Sequence, residues 1–69
     1  MKVCYTANDA VQAMIREEVC KTVTTWEEAC SESVWESVKA AFARRHKTKK
    51  LYVDITAVRV VPDDYKPVR

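Results

Sequence analysis

Few side chains in this sequence are of a type that does chemistry. His46 is the single histidine, the cysteines are Cys4, Cys20 and Cys30, and Glu28, Glu32 and Glu36 recur four residues apart. A lone histidine can serve as a general base only if a nucleophile and an orienting group come with it. His46 instead stands among Arg44, Arg45, Lys47, Lys49 and Lys50, with no serine or cysteine marked as its partner. The three cysteines and His46 are zinc-donor types, but structural zinc sites draw on Cys-x2–4-Cys pairs. Here the intervening gaps are 15, 9 and 15 residues. Glutamates at four-residue spacing share one helix face, and their mutual repulsion is only a few tenths of a kcal/mol per pair. They read as a solvated face rather than a metal cage. The chain has no glycine, which excludes the glycine-rich loops that cradle phosphates. The expectation is a protein that is not an enzyme, with no catalytic residue, cofactor or metal.

The residues suited to contact a partner are concentrated elsewhere. The formal charge is +2, unevenly spread. Residues 1–40 hold four Lys/Arg against seven Asp/Glu (−3), residues 41–50 five against none (+5), and residues 51–69 three against three (0). Two roles fit the basic cluster. Cations at the end of a helix complement its macrodipole, and a basic patch can steer the chain toward an acidic partner surface. On a helical wheel Trp35, Lys39, Phe42 and His46 form a ridge beside the cluster, and aromatic residues with arginine are the composition of an interface anchor. Trp35 can equally cover a strand edge as part of the core. The expected partner-binding residues are Trp35, Lys39, Phe42, Arg44, Arg45, Lys47, Lys49 and Lys50. The alternative function is nucleic-acid binding by the cluster at 44–50, with Phe42 and Tyr52 stacking on bases. The acidic stripe on the same helix opposes a duplex lying along it.

Sixty-nine residues bound the chain to one domain, expected over 1–62, with a polar and mobile tail at 63–69. At 48% apolar and 32% charged the composition is that of a globular chain rather than a disordered one. No apolar run approaches the roughly 20 residues of a membrane span, and MKVCYTANDA lacks a secretory signal's apolar core. A cytoplasmic location and no membrane partner are expected. An odd cysteine count excludes a framework in which every cysteine is paired within the chain. Reduced thiols acting as small apolar fillers fit that location.

The elements that must position these residues follow from periodicity. KVCYT reads as a strand with Val3 and Tyr5 on one face. Asn8 or Asp9 offers an N-cap, and Val11, Met14, Ile15 and Val19 fall on one helical stripe, although Glu18 lies inside it. The same region has a second reading, in which residues 19–24 alternate as a strand. Thr25-Trp26-Glu27-Glu28 matches a capping box and opens a long helix to about His46, with Trp26, Cys30, Val34, Val38 and Ala41 as its core stripe. LYVDITAVRVV is a strand whose apolar phase shifts after Thr56-Ala57, the mark of a bulge, and Pro62 ends it. The fold class is α+β: a small two- or three-stranded antiparallel sheet packed on one long and one shorter helix, in the order strand, helix, helix, strand. The last strand has little to guard its edge, so a homodimer through it is a further possibility.

The strand-framed layout, the TWEEA capping box and the terminal AVRVVP strand resemble the build of small bacteriophage early proteins, among them the RNA polymerase inhibitor of T7-like phages. That resemblance covers the C-terminal two-thirds in pattern and carries over no residues, the helix here being longer. What it implies is stoichiometric binding that blocks or redirects a host protein such as the transcription machinery.

Overall fold

Alternation of Val3, Tyr5 and Ala7 with polar neighbours makes the first strand two-faced, and the rest of the fold is built on that difference. A computed structural model describes residues 1–66. Strand β1 (Lys2–Asp9) is central, flanked by β2 (Arg16–Thr22) and β3 (Val53–Val61), both antiparallel to it. Helices α1 (Trp26–Ala29) and α2 (Glu32–His46) follow β2, and a short 3-10 helix, Lys50–Tyr52, leads into β3. This is the expected α+β fold with a three-stranded sheet, its first strand doubled into a hairpin ahead of helix, helix and strand.

The helix face of the sheet holds a continuous core. Val3, Tyr5, Val23, Ala29 and Val38 form one buried cluster, and Ala7, Phe42, Ala43 and Val53 form the other. Val19 packs against both. The bulge expected at Thr56-Ala57 is present: Thr6 pairs with Ala57 and Ala7 with Ile55, so Thr56 is the extra residue. Its effect is to bring Val58 back to the helix face occupied by Ile55, and both pack on the first cluster.

The helix expected after Asp9 is replaced by a loop and a strand, the second of the two readings, with strand β2 beginning earlier, at Arg16. Glu18 explains the choice. On a helix it would face the core, whereas on β2 it turns to the outer face of the sheet. There its carboxylate accepts two hydrogen bonds from Arg59, at 3.0 and 3.2 Å, and one from the Tyr65 hydroxyl at 2.5 Å. That contact raises the tyrosine's pKa and, from the other side, the arginine's. Lys2 Nζ donates to the Tyr65 carbonyl. Tyr65 is therefore tied to the sheet, unlike the mobile tail expected from 63 onward. Positions 67–69 of that tail lie outside the described residues.

The long helix is two helices. The capping box forms, with Thr25 Oγ1 accepting from the Glu28 amide at 3.2 Å. The Glu28 carboxylate returns one residue early, to the amide and hydroxyl of Thr24 at 2.8 and 2.6 Å, and these bonds lower its pKa. Ser31 then ends α1 and starts α2. Its hydroxyl donates to the Glu28 carbonyl and accepts from the Val34 amide. The break resets the helical phase, so Trp26 and Cys30 are exposed and the core residues of α2 are Val34, Trp35, Val38, Phe42 and Ala43. The Tyr5 hydroxyl, under this junction, donates to the Ala29 carbonyl at 2.5 Å. Burial raises its pKa, and the charges of Cys30 and Glu28 add to the effect.

Cys4 and Cys20 are not separate thiols. They are directly opposed on β1 and β2 and joined by a disulfide, leaving Cys30 as the free cysteine. No helix among the described residues is long and apolar enough to cross a membrane.

Candidate interaction surface

The end of the molecule where β1 finishes and β3 begins gathers the basic cluster with exposed apolar side chains. Buried Asp9 organises it. Its Oδ1 accepts from the amides of Val11 and Gln12 at 2.8 and 3.0 Å, and its amide donates to the Ile15 carbonyl. Those bonds, with one from the Thr48 side chain, hold the carboxyl below its ordinary pKa, and nearby His46 acts in the same direction. The residue expected to cap a helix thus shapes the 10–15 loop and links it to the end of α2. The Ala10 amide donates to the Tyr52 carbonyl at 2.7 Å, joining the loop to the 3-10 helix.

The loop turns Ile15 toward the second core cluster and leaves Val11 and Met14 in solvent, 69% and 92% exposed. The 3-10 helix does the same to Leu51, 75% exposed, with Tyr52 also outward. In the strand read from LYVDITAVRVV, the two-residue period puts Leu51 on one face with Val53 and Ile55. The helical turn takes it out of that phase.

Helix α2 ends here at Lys47, whose backbone is left-handed (φ 54°, ψ 40°). In a chain without glycine a lysine takes the position that glycine ordinarily fills. The amides of Lys47 and Thr48 both reach the Ala43 carbonyl. This turn separates Arg44 and Arg45 from Lys49 and Lys50.

The expected contact residues divide into three groups. Phe42 is a correction: at 1% exposed it is a core residue and cannot meet a partner, because the phase of α2 points it at Ala7 and Val53. Trp35 is half-buried, packs on the first core cluster and meets Tyr5 edge-on at 5.9 Å, so it takes the core role. Arg45 and Lys50 are exposed but paired. Arg45 bonds Glu17, which also lies 2.6 Å from His46 Nε2, and Lys50 lies 2.8 Å from Glu36, whose pKa it lowers. Lys39 is half-buried on the same helix and adds to that lowering. Arg44, Lys47 and Lys49 are exposed and make no ion pair among the described residues. Lys47 and Lys49 remain as surface cations on the turn that Asp9 and Ala10 join to the 10–15 loop and Tyr52, while Arg44 lies toward Val19, Cys20 and Ala41. The apolar members of this end were missed because helical and strand periodicity each assigned them to a buried face.

No catalytic or metal constellation stands out elsewhere among the described residues. Cys4, Cys20 and Glu18 bring their ligand atoms within 4.8 Å of one another. The two sulfurs are bonded to each other and the carboxylate is held by Arg59 and Tyr65. Cys30 and His46, the other members of the zinc set considered from sequence, are not part of that cluster. No family model matches the chain, and no curated protein or solved structure shows significant similarity to it.

Proposed function

We propose that this is a non-catalytic protein-binding module that uses the Leu51 end of the molecule to hold an acidic protein surface. The observation that carries this reading is the exposure of Leu51, Met14 and Val11 at the end where Asp9 bonds Thr48, between exposed Lys47 and Lys49, and Ala10 bonds Tyr52. Aliphatic side chains gain by burial in an apolar pocket of a partner, while cations around them raise the association rate with an acidic surface. Nucleic acid is the weaker match, since its bases reward aromatic stacking and three of the four exposed apolar groups here are aliphatic. The mechanism is occupancy: the bound module covers a partner surface, in keeping with the stoichiometric block of a host protein that the resemblance to phage early proteins implies. The cytoplasmic setting expected with reduced thiols fits the Cys4–Cys20 disulfide poorly, and an oxidising setting belongs to the proposal instead.

Capture from nuclease-treated cell lysate tests it, with wild type beside a Leu51→Ser/Met14→Ser variant and a Lys47→Glu/Lys49→Glu variant. A protein retained by wild type and lost by both variants, with their far-UV circular dichroism unchanged, is the expected result. Retention by both variants would overturn the assignment of this surface. Binding that disappears on nuclease treatment would transfer the cations to a nucleic-acid role.

A further inference from the structure

The two edges of the sheet are guarded differently. Along β2, Glu17 is bridged to Arg45 and His46, and Glu18 to Arg59 and Tyr65. Strand β3, nine residues long and the other edge of the sheet, shares the second bridge through Arg59, whose side chain reaches inward across the sheet to Glu18. The ladder phase says which of its backbone groups are free. Met1 and Val23 exchange hydrogen bonds, and Asp9 donates to Ile15, so odd-numbered residues of β1 turn toward β2. Even-numbered ones turn toward β3, as the Ala10 to Tyr52 bond continues to show. By the register, Asp54, Ala57 and Arg59 therefore bond β1. The N–H and C=O groups of Val53, Ile55, Val58 and Val60 face the open edge.

That edge is complementary to itself. Around the midpoint between Thr56 and Ala57, Ile55 mirrors Val58, Asp54 mirrors Arg59, and Val53 mirrors Val60. In a regular strand such a register is impossible, because mirrored residues of opposite parity point to opposite faces. The Thr56 bulge removes the obstacle. It flips the parity, placing Val53, Ile55, Val58 and Val60 together on the helix face and Asp54 with Arg59 on the outer face. The same flip aligns the free backbone groups. Ile55 opposes Val58 and Val53 opposes Val60 as hydrogen-bonded pairs, with each Asp54 opposite an Arg59.

We propose that β3 pairs antiparallel with β3 of a second copy about a two-fold axis between Thr56 and Ala57. The product is a six-stranded sheet with both long helices on one face. Val60, 54% exposed in the single chain, is then placed beside Val53 of the second copy. No like charges meet across the seam. A chain this small gains from such pairing, since it buries only about 60% of its unfolded surface and is correspondingly marginal. The surface is separate from the Leu51 end, and the two-fold axis sends the two Leu51 ends to opposite edges of the dimer.

Sedimentation velocity on the full chain, from low micromolar to near-millimolar concentration, tests this. Val60→Pro removes an N–H that faces the open edge and leaves the ladder with β1 intact, as proline requires of an edge position. By symmetry it deletes two seam bonds, for a rise in dimer dissociation constant of about 30-fold. Asp54→Lys, at an exposed side chain, sets lysine against Arg59 of the second copy and keeps the test open if the proline variant does not fold. The expected result is a wild-type dimer that both folded variants shift to monomer, with slowed exchange of the Ile55 and Val58 amides in the dimer. A wild type that stays monomeric throughout, or a dimer indifferent to both changes, would overturn the proposal.

Discussion

The two ends of helix α2 both carry charge beside an exposed apolar side chain, with opposite sign and different use. At the N-terminal end the capping groups have structural partners (Thr25 with Glu28, Glu28 with Thr24, Ser31 with Val34, Tyr5 with Ala29), while Glu27 and Glu32 are exposed and make no ion pair among the described residues. At the C-terminal end Arg44, Lys47 and Lys49 make no ion pair among the described residues, and Leu51, Met14 and Val11 are exposed. Charge near a helix terminus therefore says little about function by itself. What distinguishes the second end is the kind of group left open: three cations with aliphatic Leu51, Met14 and Val11, against Glu27, Glu32 and Trp26 at the first.

The comparison can be broken at the core first. Phe42→Ala removes a buried aromatic from between α2 and the sheet and should cost about 3–5 kcal/mol, enough to threaten folding of a chain this small. Leu51→Ala should change stability by no more than about 0.5 kcal/mol. Urea titrations of the two variants check the contrast, and equal costs would contradict the division of these residues between core and surface. Reduction of the Cys4–Cys20 disulfide, which closes a separation of 16 residues, should cost about 3 kcal/mol, read as a lower urea midpoint with dithiol present.

Acid sharpens the contrast between used and unused charge. Asp9, Glu28 and Glu36 all have depressed pKa values in the fold, from hydrogen bonds to Gln12, Thr24 and Lys50 respectively. In the range below about pH 4 the unfolded chain binds protons that the folded chain resists, so protonation favours unfolding. Their contribution is fully present above the ordinary carboxylate range and is lost as pH falls through the depressed values. Asp9→Asn should flatten the decline of the thermal midpoint between about pH 5 and pH 2, and an unchanged profile would remove Asp9 from its organising role.

A modest stabilising change separates stability from function at one residue. Lys47→Gly relieves a left-handed backbone and should stabilise the protein by on the order of 1 kcal/mol. The same change deletes one of the unpaired cations, so partner binding should weaken while the thermal midpoint rises. A rise in both would make Lys47 a structural residue only.

The parts of the fold legible in the sequence are those set by local chemistry. The Thr25 capping box and the phase shift at Thr56 each depend on a few adjacent residues, and both are present. Strand β2 was ambiguous because Ile15 and Val19 satisfy a helical stripe, and only pairing with β1 decides the matter. The helix break at Ser31 is a second cap, a serine after the capping Thr25, masked by the longer periodicity around it. For the candidate surface the cations were legible, but their apolar companions were not. A loop and a 3-10 helix, whose geometry no periodicity reports, turn Met14 and Leu51 outward.

The most direct measurement places the two ends of α2 side by side in one capture experiment. Leu51→Ser with Lys49→Glu alters the C-terminal end, and Trp26→Ser with Glu27→Lys alters an exposed patch at the capped end. From nuclease-treated lysate, the first variant should lose the retained protein by at least about tenfold, the equivalent of about 1.4 kcal/mol, and the second should retain it as wild type does. Loss through the second variant, with retention by the first, would contradict the assignment of binding to the Leu51 end.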